Sequence, residues 1–163
     1  MNQKHVPDLE HCQEFDRLCK EKGIEVPETV FFWAECHLNE DEHGKHEKHW
    51  LLLFNNTTDN EESRVISEMP ESWNFEDFDW GKTLAAPLVS EQGEFLPDEL
   101  ADEHQDLPYF LTAEKRADPD YWIVYYNGDR GELSGTQFEG NTEANARQKS
   151  INYLIAEGII TTL

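Results

Sequence analysis

Apolar residues recur at three- and four-residue steps near both ends of this chain, while shorter alternating or continuous apolar runs lie between them, so terminal helices flanking strands are expected. Pro7-Asp8 reads as a helix start, after which Leu9, Cys12, Phe15, Leu18 and Cys19 fall on one face until Gly23 stops the helix. Thr29 to Leu38 is rich in β-branched and aromatic residues, and His49 to Phe54 is a short apolar run. The two are expected to form a hairpin joined by the polar stretch Asn39 to Lys48. From Asn55 to Leu107 the periodicity fades: one short helix is expected near Pro87 to Gln92, another near Pro97 to His104, and loop elsewhere.

The last third is patterned again. Tyr109 to Lys115, Tyr121 to Tyr126 and Glu132 to Glu139 read as the strands of a β-meander, with turn chemistry at Asp118-Pro119-Asp120 and Asn127-Gly128-Asp129-Arg130-Gly131. Asn141 or Thr142 is placed to cap a closing helix whose apolar face is Ala144, Ala146, Ile151, Leu154 and Ile155, with Gly158 just past its end. The expected fold is α+β, an antiparallel sheet made of the N-terminal hairpin and the C-terminal meander, with helices from both chain ends packed on it. One face of the middle meander strand (Tyr121, Ile123, Tyr125 or Trp122, Val124, Tyr126) is expected to lie under Ile151, Leu154 and Ile155.

Composition narrows the partners more than the fold. The 163 residues, 37% hydrophobic and with five Trp, fit a single compact domain over residues 1–163 with an acidic, loop-rich insert at about 55–107. Thirteen Lys+Arg against 35 Asp+Glu leave a formal charge of −22, which repels phosphate and anionic lipid. Direct nucleic-acid or membrane binding is therefore not expected, and partners should be basic, cationic or neutral. No run approaches the ~18 apolar residues of a membrane span, and no leader pattern precedes the first helix, so a cytoplasmic protein is expected. Cys12, Cys19 and Cys36 are odd in number and unmatched in spacing, as free reduced thiols are.

Most candidate chemistry fails on spacing. Cys36, His37, His43, His46 and His49 supply Zn²⁺ donor types within fourteen residues, but Cys-x6-His-x2-His-x2-His matches no standard zinc spacing. His46-Glu47-Lys48-His49 is also one residue short of His-Glu-x-x-His, so these are read as loop and strand residues, with no metal and no cofactor. Gly81-Lys82-Thr83 lacks the upstream Gly of a phosphate-binding loop, position 76 being Glu, and Ser134 lacks the Gly-x-Ser-x-Gly elbow. No catalytic residues are assigned.

Val26-Pro27-Glu28-Thr29-Val30-Phe31-Phe32-Trp33, Ala86-Pro87-Leu88-Val89-Ser90-Glu91 with Phe95-Leu96-Pro97, and Glu143 to Arg147 through Tyr153 to Ile159 resemble small uncharacterised acidic proteins of phages and prophages of gut bacteria. The resemblance implies a bacterial host cytoplasm as setting and brings no site residues.

Asp59 to Asp106 holds fifteen acids against only Arg64 and Lys82. Within it Trp73, Phe75, Phe78 and Trp80 interleave with Glu71, Glu76, Asp77 and Asp79, an acidic-aromatic pattern of segments that dock on basic partners with apolar pockets. These eight residues are the expected partner-binding set. The expected function is a non-enzymatic, phage-associated accessory protein that binds a protein partner. The alternatives are a DNA-mimic inhibitor of a host nucleic-acid-binding or defence protein, and a metal-binding protein using the His-rich loop.

Overall fold

The structure, a computed structural model of the chain, describes residues 5–38, 48–54, 64–65, 78–101, 108–116, 121–128, 131–132 and 135–163. In chain order the elements are α1 (Leu9–Lys22), β1 (Phe31–Leu38), β2 (Lys48–Phe54), β3 (Arg64–Val65), β4 (Phe78–Ala85), α2 (Val89–Phe95), β5 (Glu99–Leu100), β6 (Tyr109–Lys115), β7 (Trp122–Gly128), β8 (Gly131–Glu132), β9 (Phe138–Gly140) and α3 (Glu143–Ala156). The class is α+β, as expected, but the hairpin and the meander belong to two different antiparallel sheets. Sheet 1 has the order β3-β2-β1-β4. Sheet 2 runs β5-β6-β7, and β8 and β9 share the far edge of β7.

The expected hairpin pairs Phe31 with Phe54 through His37 with Lys48 in unbroken register. Side chains therefore alternate along β1, with Phe31, Trp33, Glu35 and His37 on one face and Phe32, Ala34 and Cys36 on the other. The first face packs on the N-terminal part of α1: Phe31, Trp33, Leu52 and Leu84 form one cluster with Val6 and Cys12. Further along the helix, Phe15, Leu18 and Cys19 join a second cluster with Tyr109, Tyr126, Ile151, Leu154 and Ile155. Thus α1 contributes to two cores, and the expected packing of the meander's middle strand under the closing helix is present through Tyr126. Ile123 and Tyr125 are buried as well, so β7 is covered on both faces.

Three expectations need correction. Loop was expected between Asn55 and Leu107, yet Phe78–Ala85 is an eight-residue strand paired with β1. Its register shifts where Cys36 opposes Trp80 and Ala34 opposes Thr83, which leaves Gly81 and Lys82 together opposite Glu35. That bulge breaks the two-residue alternation by which a strand is recognised. The helix expected near Pro97 to His104 is in its described part the strand Glu99–Leu100, paired with β6 and extended by Leu111 N–H donating to Asp98 O; residues 102–104 lie outside the described residues. The third meander strand, expected over Glu132 to Glu139, is two short strands. Gly135 turns between them at φ 83°, and the Tyr126 N–H donates to the Thr136 hydroxyl in the gap.

The helix termini follow the sequence signals. Gly23 adopts φ 68°, and the Ile24 N–H behind it returns to Cys19 O. Thr142 caps α3 by accepting from Asn145 N–H at 3.1 Å. Of the short helix expected near Pro87 to Gln92, the structure shows Val89–Phe95, with Glu91 turned back to accept from Leu88 N–H at 2.6 Å. Among the described residues no helix is long and apolar enough to cross a membrane.

The surprise in α3 is polar. Besides its fully buried Ala144, Ala146, Ile151, Leu154 and Ile155, it buries Asn145, Gln148 and Asn152 along a neighbouring stripe. Asp8 N–H donates to Asn145 Oδ1 at 2.8 Å, and Asn145 Nδ2 donates to the Asp8 carboxylate at 2.7 Å. Gln92 Nε2 donates to Gln148 Oε1, Gln148 Nε2 to Asn152 Oδ1, and Asn152 Nδ2 to His11 O, at 3.0 to 3.1 Å. These bonds partly offset the cost of removing the amides from water and pin α1, α2 and α3 at one junction, although Gln92 Oε1 and the Ser150 hydroxyl are buried without a hydrogen-bond partner among the described residues.

Candidate functional site

Of the expected partner-binding set, Glu71, Trp73, Phe75, Glu76 and Asp77 lie outside the described residues. Phe78 and Asp79 open β4, opposite Leu38 and His37. Trp80 follows, opposite Cys36, so it projects on the face of sheet 1 turned away from α1. It is 42% exposed, an unusual state for a Trp within a strand ladder.

Thr83 and Ala85, opposite Ala34 and Phe32, continue the same face. There Val26, Pro27, Phe32 and the Leu84-Ala85 backbone stretch enclose a groove of about 270 Å³, and Glu28, Thr29 and Thr83 add its polar atoms. The Thr29 hydroxyl is already engaged, donating to Phe31 O at 2.5 Å. Glu28 and Thr83 are exposed. The β1 positions opposite Trp80 and Ala85 are four residues apart, so the exposed indole and the groove are separated by about 13 Å along one face. Sequence reading missed Glu28, Phe32, Thr83 and Ala85. Only Phe32 carried a signal, as the middle of three adjacent aromatics of which strand alternation puts Phe31 and Trp33 on the α1 side and Phe32 on the other.

The opposite face of the same sheet ends in charge. Glu35 Oε1 lies 2.7 Å from both His37 Nε2 and Lys48 Nζ, and Gly81 sits directly against this pair, where an added Cβ would stand 3.4 Å from His37 Nε2 and 3.5 Å from Glu35 Oε1. Hydrogen bonding from Lys48, joined by that from His37, holds the Glu35 carboxyl below its ordinary value against a smaller desolvation effect. At Asp16 burial pushes the carboxyl up, but hydrogen bonds from Lys82 at 2.6 Å and Lys20 at 2.9 Å outweigh it and hold it low.

For the thiol and imidazole groups, the strand register decides. Cys36 and His49 are directly opposite, and the Cys36 thiol donates to His49 O at 3.6 Å. His37 projects from the other face, toward Glu35, so these three donors do not converge; His43 and His46 lie outside the described residues. Among the described residues no three His, Cys, Asp or Glu side chains gather as a metal site. Burial raises the Cys36 thiol above its ordinary value, and it raises Cys19 to about 11, which leaves both as protonated, weakly reactive groups at neutral pH.

The acids of Asp59 to Asp106 do not all serve as display. Glu91 is used internally, accepting from both Leu88 N–H and Val30 N–H, whereas Glu94, Asp98 and Glu99 are exposed. Among the described residues Arg17, Lys20, Lys48, Lys82, Arg116 and Arg147 each pair with a carboxylate of the same chain. The net charge of −22 already counts these cations, so the chain carries a large excess of carboxylates beyond those they pair. No family model, curated protein or solved structure matches this chain.

Proposed function

We infer that this is a non-enzymatic acidic accessory protein, phage-associated and acting in the cytoplasm of a bacterial host, that binds a basic protein partner through the acidic-aromatic segment ending at Trp80. The observation that carries the reading is Trp80 itself, a large apolar ring presented to solvent at the start of β4. Exposed aromatics on a charged surface are the usual anchors of protein interfaces, because they bury much area at small entropic cost. The internal pairing of six cations supports a cationic partner, since the surface offers it carboxylates with little competition.

The test is capture from bacterial host lysate with wild-type protein and with Trp80→Ala, read by mass spectrometry at 50 mM and 500 mM salt. A basic protein retained by the wild type and lost from the variant at both salt concentrations supports an aromatic-anchored contact. Retention that collapses at high salt in both proteins points to charge mimicry of nucleic acid. A partner set unchanged by Trp80→Ala at both concentrations overturns the role given to Trp80.

A further inference from the structure

Resting on that reading, we propose that the groove at the β4 end of sheet 1 is the receptor for one arginine side chain of the basic partner. The groove holds about 270 Å³, below the ~300–1,000 Å³ of small-molecule sites, which suits a single protruding side chain. Val26, Phe32 and Ala85 contribute apolar atoms to its lining, and Glu28 lines the same groove beside them. Among the described residues no cation pairs with Glu28.

A carboxylate beside an apolar wall interacts with a cation more strongly than one in open water, because less of the field is screened. A long methylene stem covers the walls while its charged head stays at the rim. Arginine fits better than lysine for two reasons. Its planar fork matches a carboxylate with two parallel hydrogen bonds, and it stacks on an aromatic ring with a smaller dehydration cost than an ammonium. The groove also shares its sheet face with Trp80, about 13 Å away, a span that four residues of extended chain cover. Between the two points Gly81, Lys82 and Thr83 are exposed along the edge strand β4, so one basic segment following that edge can lay a residue on Trp80 and an arginine in the groove.

The probe is a capped hexapeptide of alternating glycine and arginine, titrated into the full chain with amide shifts followed by NMR; its lysine counterpart is the second probe. The arginine peptide is expected to shift the amides of Val26, Thr83 and Ala85, and the lysine peptide to bind at least about threefold more weakly. Glu28→Gln should weaken the arginine peptide at least about fivefold, while Glu25→Gln, which removes the same charge from the same exposed segment, should change it less than about twofold. Equal losses for the two variants mean unspecific charge attraction and overturn the proposal. Shifts confined to the surroundings of Trp80 also overturn it, while leaving the proposed partner class standing. No binding of either peptide overturns the arginine receptor, and the Trp80→Ala capture then tests the broader reading by itself.

Discussion

Gly140 ends β9 against the first turn of α3, and a single methyl group there tests the whole packing of sheet 2 on that helix. A Cβ at position 140 would stand 2.6 Å from Ala146 N, 2.8 Å from Thr142 O and 3.1 Å from Ala146 Cα. All three are backbone atoms, so no side chain can swing aside. The overlap is relieved only by lifting β9 from α3, at the expense of the Ile123–Glu139 and Val124–Phe138 pairing or of the Thr142 cap. Overpacking of this kind costs about 1–3 kcal/mol, and the fixed obstacles place Gly140→Ala near the upper end. At ~2–4 °C per kcal/mol for a chain of this size, Tm should fall by about 6–12 °C. Gly23 provides the contrast, because it sits at φ 68° with nothing within 4 Å of its added Cβ. Gly23→Ala should cost only the ~1–2 kcal/mol of left-handed backbone strain, and Gly23→Asn less, since Asn tolerates that conformation. Gly140→Asn should instead be worse than Gly140→Ala. Thermal and urea denaturation of the four variants decide it: a Gly140→Ala protein melting within about 1 °C of wild type refutes the close approach of β9 to α3.

Leu154→Ala should cost on the order of 2–5 kcal/mol, read from urea midpoints at unchanged m-value, because Leu154 is fully buried among Phe15, Tyr126 and Ile151; a shift below about 1 kcal/mol would show that the cluster collapses around the gap. Asn145→Ala removes both partners of Asp8 and should cost about 1–3 kcal/mol, while Asn145→Asp should be worse at pH 7 by facing the Asp8 carboxylate with another. Equal melting of these two variants would contradict the clasp. Glu35 and Asp16 are both held below their ordinary values of 4.5 and 3.8, so the unfolded chain binds more protons in that interval. Their contribution is complete above those values and is lost as pH falls through the lower folded-state ones. Glu35→Gln and Asp16→Asn should accordingly narrow the Tm difference between pH 7 and pH 3, and an acid limb identical to wild type would rule the two pairings out as its source.

What was legible in the sequence is what periodicity encodes. Leu9, Cys12, Phe15, Leu18 and Cys19 at helical steps gave α1, and Gly23 its end; Thr142 and the Ile151, Leu154, Ile155 face gave α3. The segment Phe78–Ala85 was illegible because the bulge at Gly81 and Lys82 sets Trp80, Thr83 and Ala85 on one face at uneven steps. The buried polar stripe Asn145, Gln148 and Asn152 was not legible, since composition cannot show that Asp8, His11 and Gln92 arrive to partner it from more than 50 residues away. The groove is hidden for the same reason, its walls coming from residues 26–32 and 83–85. Glu91 shows that an acid count alone does not tell display from internal use, since it accepts from two backbone donors.

The chain of amides on α3 has a direction. Gln92 gives to Gln148, Gln148 to Asn152, and Asn152 to the His11 carbonyl, and no member can turn over without stranding the next. Such a one-way relay behaves like a latch with a single closed position: α1 cannot slide or rotate on α3 by a fraction of a turn and keep any part of it. The three helices should then open together or not at all, and their amide protons should exchange with solvent at one common rate, slower than those of the strands at the edges of either sheet. Because α1 and α3 stand at opposite ends of the described chain, that latch closes only after the residues between them have been brought into place, making its closure a late and decisive event in folding.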